Sequence, residues 1–425
     1  MICLAIGWAP LLSFAQDDFD REPIAYARTT PVNAVSRLQA RLTAGEAALA
    51  WEPGTGYLKA VLEALDVPVS SQLLVFSKTS LQRQRINPRT PRALYFNDDV
   101  YIGFCQQGDV LEVSVADPQL GTVFYTLDQA AEVEPEFLRQ TDNCLICHGG
   151  SQTRNIPGHV VRSVYPDASG QPLLASGSYR TDHASPLANR WGGWYVTGKH
   201  GAQRHLGNRI YHGRPDNETP VDASGYNVTD LADRIRTAAY LTPHSDLVAL
   251  MVLEHQAGGH NVLTRAAFDS RAALYREDRL NVELKEPPGH RWDSTNIILN
   301  SAAASLVEYF LMHREAVLSE PVSGTSPFAQ EFARRGPRDS QGRSLRDLDL
   351  QTRLFRYPCS YLIDTESFDA LPGELRARFW QKLDDVLSGR ETSEKFAHLT
   401  TADRQAIREI LQATKAGLPA DWGTK

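Results

Sequence analysis

Residues 144–148 read Cys144-Leu145-Ile146-Cys147-His148. The two thiols stand three positions apart, about one helical turn, and an imidazole follows at once. At this spacing a cysteine pair can add across the two vinyl groups of a haem. The adjoining histidine is then placed to bind the iron from one face. With five cysteines and 12 histidines in 425 residues, chance yields this pattern in roughly two sequences per thousand, so coincidence is a poor account of it. Other uses of the pair fit less well. A redox dithiol calls for a strand–helix–strand setting. A structural zinc calls for two further ligands, and the chain has no second C-x-x-C.

The elements around the motif follow from local patterns. Val35, Leu38, Leu42 and Leu49 share one face of a helix over 33–50, and a second helix fits 57–65. Short apolar runs at 73–76, 93–96, 100–104, 110–115 and 123–127 are separated by Asn, Asp, Pro and Gly, which predicts an antiparallel sheet. Pro135 suits the first turn of a helix leading through Phe137 and Leu138 to Cys144, with Gly149-Gly150 as its stop. Residues 151–225 are rich in Gly, Pro, Asn and Ser, with a hairpin at 167–170. Helices are expected at 230–240, at 245–276 with a break at Gly258-Gly259, at 296–313, at 374–387 and at 402–414. The last takes Thr400 or Thr401 as its N-cap. The fold class is α+β: an N-terminal antiparallel β-region with helices, a haem-bearing segment, and a mainly helical C-terminal half. The expected divisions are 1–15, 16–134, 135–225 and 226–425.

On the residues of the motif, the chain resembles the c-type cytochromes. The resemblance covers 144–148 and about 15 residues beyond. It implies one covalent haem c on Cys144 and Cys147, with His148 as proximal iron ligand. In small members of the family a proline about ten residues on helps to orient that histidine, a place matched here by Pro157. The family's distal methionine has no counterpart soon after the motif, because the only methionines are Met1, Met251 and Met312. Beyond the motif, the chain looks like large exported single-haem bacterial proteins.

A sixth ligand is therefore sought elsewhere. Met251 and His255 share a helix face, and His200 and His205 flank a glycine-containing turn. Each also has an ordinary reading, as core or surface residues. Trp191, Trp194 and Tyr195 read as core rings or as a wall beside the haem. Arg154, Arg162 and Arg180 are candidate partners of haem propionates. Glu254, beside His255, reads as an exposed helix carboxylate or as an acid–base group near a substrate.

Composition narrows the class. Hydrophobic residues make up 42% and charged residues 22%, which fits a globular chain. A formal charge of −7 offers no basic field for nucleic acid. Residues 1–15 are uncharged and largely apolar, and Ser13 and Ala15 suit positions −3 and −1 of a signal cleavage, though no Lys or Arg precedes the run. Export to the periplasm follows as an expectation. No apolar run approaches the length of an integral membrane segment. Cys3 would leave with the leader, and Cys105 and Cys359 are either a disulfide or two buried thiols. The function expected is electron transfer with a redox partner protein. The alternatives are a peroxidase- or oxidase-like haem oxidoreductase with an open distal site, and a haem-based sensor.

Overall fold

The computed structural model describes residues 18–212, 223–420 and 422. The expected leader at 1–15, with Cys3, lies outside them. Helix α1 (Ala34–Thr43) opens on a capping box, in which the Asn33 side chain accepts from the Ser36 amide and the Ser36 hydroxyl accepts from the Asn33 amide. Helix α2 (Leu58–Ala64) follows. Six antiparallel strands then form one meander in chain order: β1 (Leu73–Val75), β2 (Arg92–Phe96), β3 (Val100–Phe104), β4 (Val110–Asp117), β5 (Gly121–Asp128) and β6 (Phe137–Gln140). Its two faces differ because side chains alternate along each strand. Ile102, Val113 and Tyr125 join Val35 and Leu58 in one buried cluster. Tyr101, Ser114 and Phe124 stand in register on the other face. That second face receives the motif.

Strand β6 replaces the helix expected after Pro135. Only four residues long, the segment pairs with the free edge of β5, setting Leu138 opposite Thr126. Arg139 locks it by donating to the carbonyls of Tyr26 and Thr29. Edge pairing outweighs a weak helical pattern here. The helical turn that carries the motif is α3 (Leu145–His148), with Cys144 at its N-cap.

Two small ladders come next, β7 (Arg162–Val164) with β8 (Ser178–Arg180), and β9 (Gly198–Lys199) with β10 (Ser323–Gly324). The 167–170 turn forms as expected, its amides turned onto the Asp167 carboxylate. The helix expected at 230–240 does not form; only a single 3-10 turn at Thr237–Ala239 is present. Leu231, Ile235 and Tyr240 are instead buried as separate anchors, and the Tyr240 hydroxyl donates to the Pro91 carbonyl.

Helix α4 (Leu247–Leu284) runs 38 residues without a break. Its Asp246 cap uses one oxygen for the Val248 and Ala249 amides and the other for Thr325 and Ser326. Gly258 and Gly259 do not interrupt it. They allow close approach: a Cβ on Gly258 would lie 2.2 Å from the Tyr309 hydroxyl, and one on Gly259 2.2 Å from Leu362 Cδ1. Helices α5 (Asp293–Phe310), α6 (Phe328–Arg334), α7 (Glu366–Asp369), α8 (Gly373–Leu387) and α9 (Thr401–Thr414) complete the chain. Thr400 caps α9, as its sequence suggests. Leu306, Phe310, Phe379, Leu383 and Leu411 centre the helical core, while Phe268 of α4 reaches the sheet-side cluster. Cys105 and Cys359 are both buried free thiols. Burial pushes the Cys105 thiol up to about 12. Among the described residues, no helix is long and apolar enough to cross a membrane.

Candidate functional site

The motif sits on a single turn because the chain around it is pinned rather than because the turn is stable alone. The amides of Cys147 and His148 both point to the Cys144 carbonyl, at 3.3 and 2.9 Å, and the Gly149 amide to that of Leu145. Leu145 packs toward the sheet-side cluster. Ile146 and Cys147 face outward, and Cys144 is half-buried. Both thiols are free. Burial, with smaller contributions from Glu112 and Cys147, raises the Cys144 thiol to about 11, so it is protonated near neutrality.

His148 is held through one ring nitrogen. Its Nδ1 lies 2.9 Å from the Gly158 carbonyl, and the Gly158 amide returns a bond to the His148 carbonyl at 2.9 Å. A carbonyl can only accept, so Nδ1 carries the proton and Nε2 keeps its lone pair. Nε2 takes no hydrogen bond among the described residues. The ring rests against Phe124, with centroids 4.9 Å apart. Burial lowers its pKa, the Gly158 bond opposing, so the ring is held neutral. Neutral imidazole with one free nitrogen is what a metal ligand must offer.

The loop that supplies this carbonyl is fastened on three sides. The Thr122 amide donates to the Pro157 carbonyl at 3.2 Å. Asn261 of α4 grips the next peptides twice, accepting from the His159 amide at 2.8 Å and donating to its carbonyl at 2.7 Å. The Thr153 hydroxyl donates to the Ile156 carbonyl at 2.6 Å. Gly158 is required for closeness, since a Cβ there would meet Asn261 Oδ1 at 2.4 Å. It is the carbonyl of Gly158, next after Pro157, that orients the ring.

His159 bridges the motif to the interior. Its ring sits between the hydroxyls of Ser114 (3.1 Å) and Thr122 (3.2 Å) and lies tilted against Tyr101, with centroids 4.1 Å apart. Gln256 of α4 then donates to the Tyr101 hydroxyl and accepts from that of Tyr361, at 2.8 and 2.5 Å. This buried polar chain was not anticipated from sequence, although Gln256 and His260 recur at helical spacing on α4. Beside the motif, Arg92 and Glu112 form a half-buried ion pair of 2.6 Å across β2 and β4.

The four candidate distal ligands have other partners. Met251 is buried in the helical core. His255 is fully buried, its Nδ1 3.1 Å from His183 Nδ1 and its Nε2 2.8 Å from the Ser360 hydroxyl. His200 and His205 face one another at 3.1 Å through Nε2. His205 Nδ1 accepts from the Gly207 amide and His200 Nε2 from the Asn227 amide. His205 is therefore the donor between them. None of the four contacts the motif. Glu254, expected to be exposed, is fully buried and pairs with Arg190 at 2.9 Å. Burial raises its pKa and Arg190 opposes the rise.

The aromatic stretch is core. Trp194 donates to the Arg162 carbonyl and Tyr195 to that of Pro88, and Trp191 packs on His205. Of the candidate propionate partners, Arg162 is engaged with Ser178 and Arg180 with the Gln152 carbonyl, while Arg154 is exposed beside the motif loop. Comparison with protein-family models, curated proteins and solved structures gives no match to this chain.

Proposed function

We propose that this chain is an exported c-type cytochrome that carries one haem c and passes single electrons to a redox partner protein in the periplasm. The observation that carries the reading is the state of His148. Its Nδ1 is committed to a backbone carbonyl and its Nε2 is unengaged, on the same turn as two free thiols. Haem would supply a one-electron couple at this site. Cys144 and Cys147 would bind it covalently, each thiol adding across one vinyl group. His148 would hold the iron, and the Gly158 carbonyl fixes the tautomer and direction of that ring. A neutral carbonyl at Nδ1 makes the imidazole a weaker donor than a carboxylate partner would, which suits electron exchange better than O–O cleavage.

A second reading, a haem oxidoreductase or sensor with an open sixth position, is favoured by one specific observation. Met251, His255, His200 and His205 are each packed or bonded elsewhere. Expression with a haem c maturation system and a pyridine haemochrome spectrum tests the central claim. A covalent haem, lost when Cys144→Ala and Cys147→Ala are combined, is expected; a folded chain without covalent haem overturns it. A high-spin ferric spectrum selects the second reading over the first.

A further inference from the structure

A cavity of about 610 Å3 lies beside the motif loop, between α4, α5 and the segment at 19–24. That is the size range of sites for small organic ligands. Its origin is steric. Ala266 on α4 and Ser301 and Ala302 on α5 are too small to fill the space between the two helices. Phe19, Ile24 and Val262 supply an apolar floor, each almost wholly buried. Phe19 also touches the haem-motif loop, lying 3.2 Å from the Cβ position of Gly149.

The rim is polar and unbalanced in charge. Arg265 is satisfied by Asp269, one turn along α4, and Glu22 by Arg28. Arg154 and Arg276 also line the cavity, and neither has a carboxylate partner among the described residues. Arg276 uses Nε on the Ala272 carbonyl, leaving the end of its guanidinium toward solvent. Arg154 is placed by a costly backbone: it and Asn155 are consecutive non-glycine residues in the left-handed region, at φ 61° and 57°. Such conformations are strained for non-glycine residues and persist where the surroundings enforce them. The turn they make brings Arg154 to the cavity.

We propose that this cavity binds one amphipathic organic anion, with its apolar body on Phe19, Ile24 and Val262 and its acidic group between Arg154 and Arg276. Guanidinium forks are suited to carboxylate and sulfonate oxygens, and an apolar floor with few convergent polar groups fixes orientation. The inference does not rest on haem attachment, and it is tested with and without that cofactor.

Two fluorescent probes of similar shape serve, 1-anilinonaphthalene-8-sulfonate and its uncharged relative N-phenyl-1-naphthylamine, titrated against the folded full chain. Arg154→Asn keeps a residue that tolerates the left-handed backbone while removing the charge. Arg276→Gln alters an exposed side chain, and Ser301→Trp fills the cavity from its exposed wall. The sulfonate probe should saturate one site. Each arginine variant should weaken it about three- to fivefold, the range of a solvent-exposed charge contact, with the neutral probe unchanged. Ser301→Trp should abolish binding of both, with circular dichroism confirming the fold. Unsaturable binding overturns the proposal. So does sulfonate affinity indifferent to both arginine changes, or binding that survives Ser301→Trp.

Discussion

His148 and His255 both lie against aromatic rings, and burial lowers the pKa of each. They differ in how their nitrogens are used. His255 has both engaged, one with His183 and one with Ser360. His148 has one engaged with a backbone carbonyl and one left over. Where a buried imidazole is fully satisfied, it stabilises packing. Where the fold spends a three-sided clamp to orient a ring and leaves its other nitrogen unbonded, the ring is available to a ligand. The same residue type thus serves the core in one region and a site in the other.

Exchanging the two roles gives the largest expected effects. In haem-loaded protein, His148→Ala should remove the proximal ligand and change the ferric absorption spectrum outright. His255→Gln should leave that spectrum unaltered. It should lower stability by about 1–3 kcal/mol, the cost of leaving buried partners such as Ser360 unsatisfied, read by denaturant unfolding. A spectral change in His255→Gln with the fold intact would instead make His255 an iron ligand.

Asn261 sharpens the same contrast from outside the motif. It touches neither thiol nor imidazole, yet it holds both polar groups of the His159 peptide next to the orienting carbonyl. Asn261→Leu should loosen the His148–Gly158 bond. A less polarised imidazole is a poorer donor to ferric iron, so the midpoint potential of the haem-loaded protein should rise, by about 59 mV for each tenfold change in relative affinity. In the haem-free chain, the 15N shift of His148 Nδ1 should move toward that of an unbonded imidazole. A variant that is merely less stable, with shift and potential unchanged, shows the clamp to be structural only.

Parts of this arrangement were legible in the sequence and parts were not, for identifiable reasons. The motif, the first five strands and the Thr400 cap rest on local chemistry, which spacing and residue type reveal. The Gly258-Gly259 pair misled because a glycine that punctuates a helix and one that admits a neighbour look alike in sequence. Only Tyr309 and Leu362, 51 and 103 positions on from their glycines, distinguish them. Glu254 looked exposed because its partner, Arg190, is 64 residues away. Strand β6 needed the edge of β5. The site itself divides in the same way: Cys144, Cys147 and His148 lie within five positions, while Gly158 meets the ring, and Asn261 and Thr122 meet the loop that holds it, only through the fold.

A last effect concerns pH, and it reads His183, a buried imidazole of the core. Burial pushes His183 down from 6.5 to about 4, with Asp182 opposing the fall. A histidine depressed in the folded state binds a proton more readily when unfolded. Its contribution to stability is therefore intact above 6.5 and is lost as pH falls from there toward 4. Each such group steepens the acid loss by about 1.4 kcal/mol per pH unit within that window. His183→Gln should flatten the dependence of unfolding free energy on pH by about one proton there, and leave it unchanged above neutrality. An unaltered slope would mean that His183 is charged inside the fold, and the His183–His255 contact would then be a hydrogen bond from an imidazolium rather than a neutral pair.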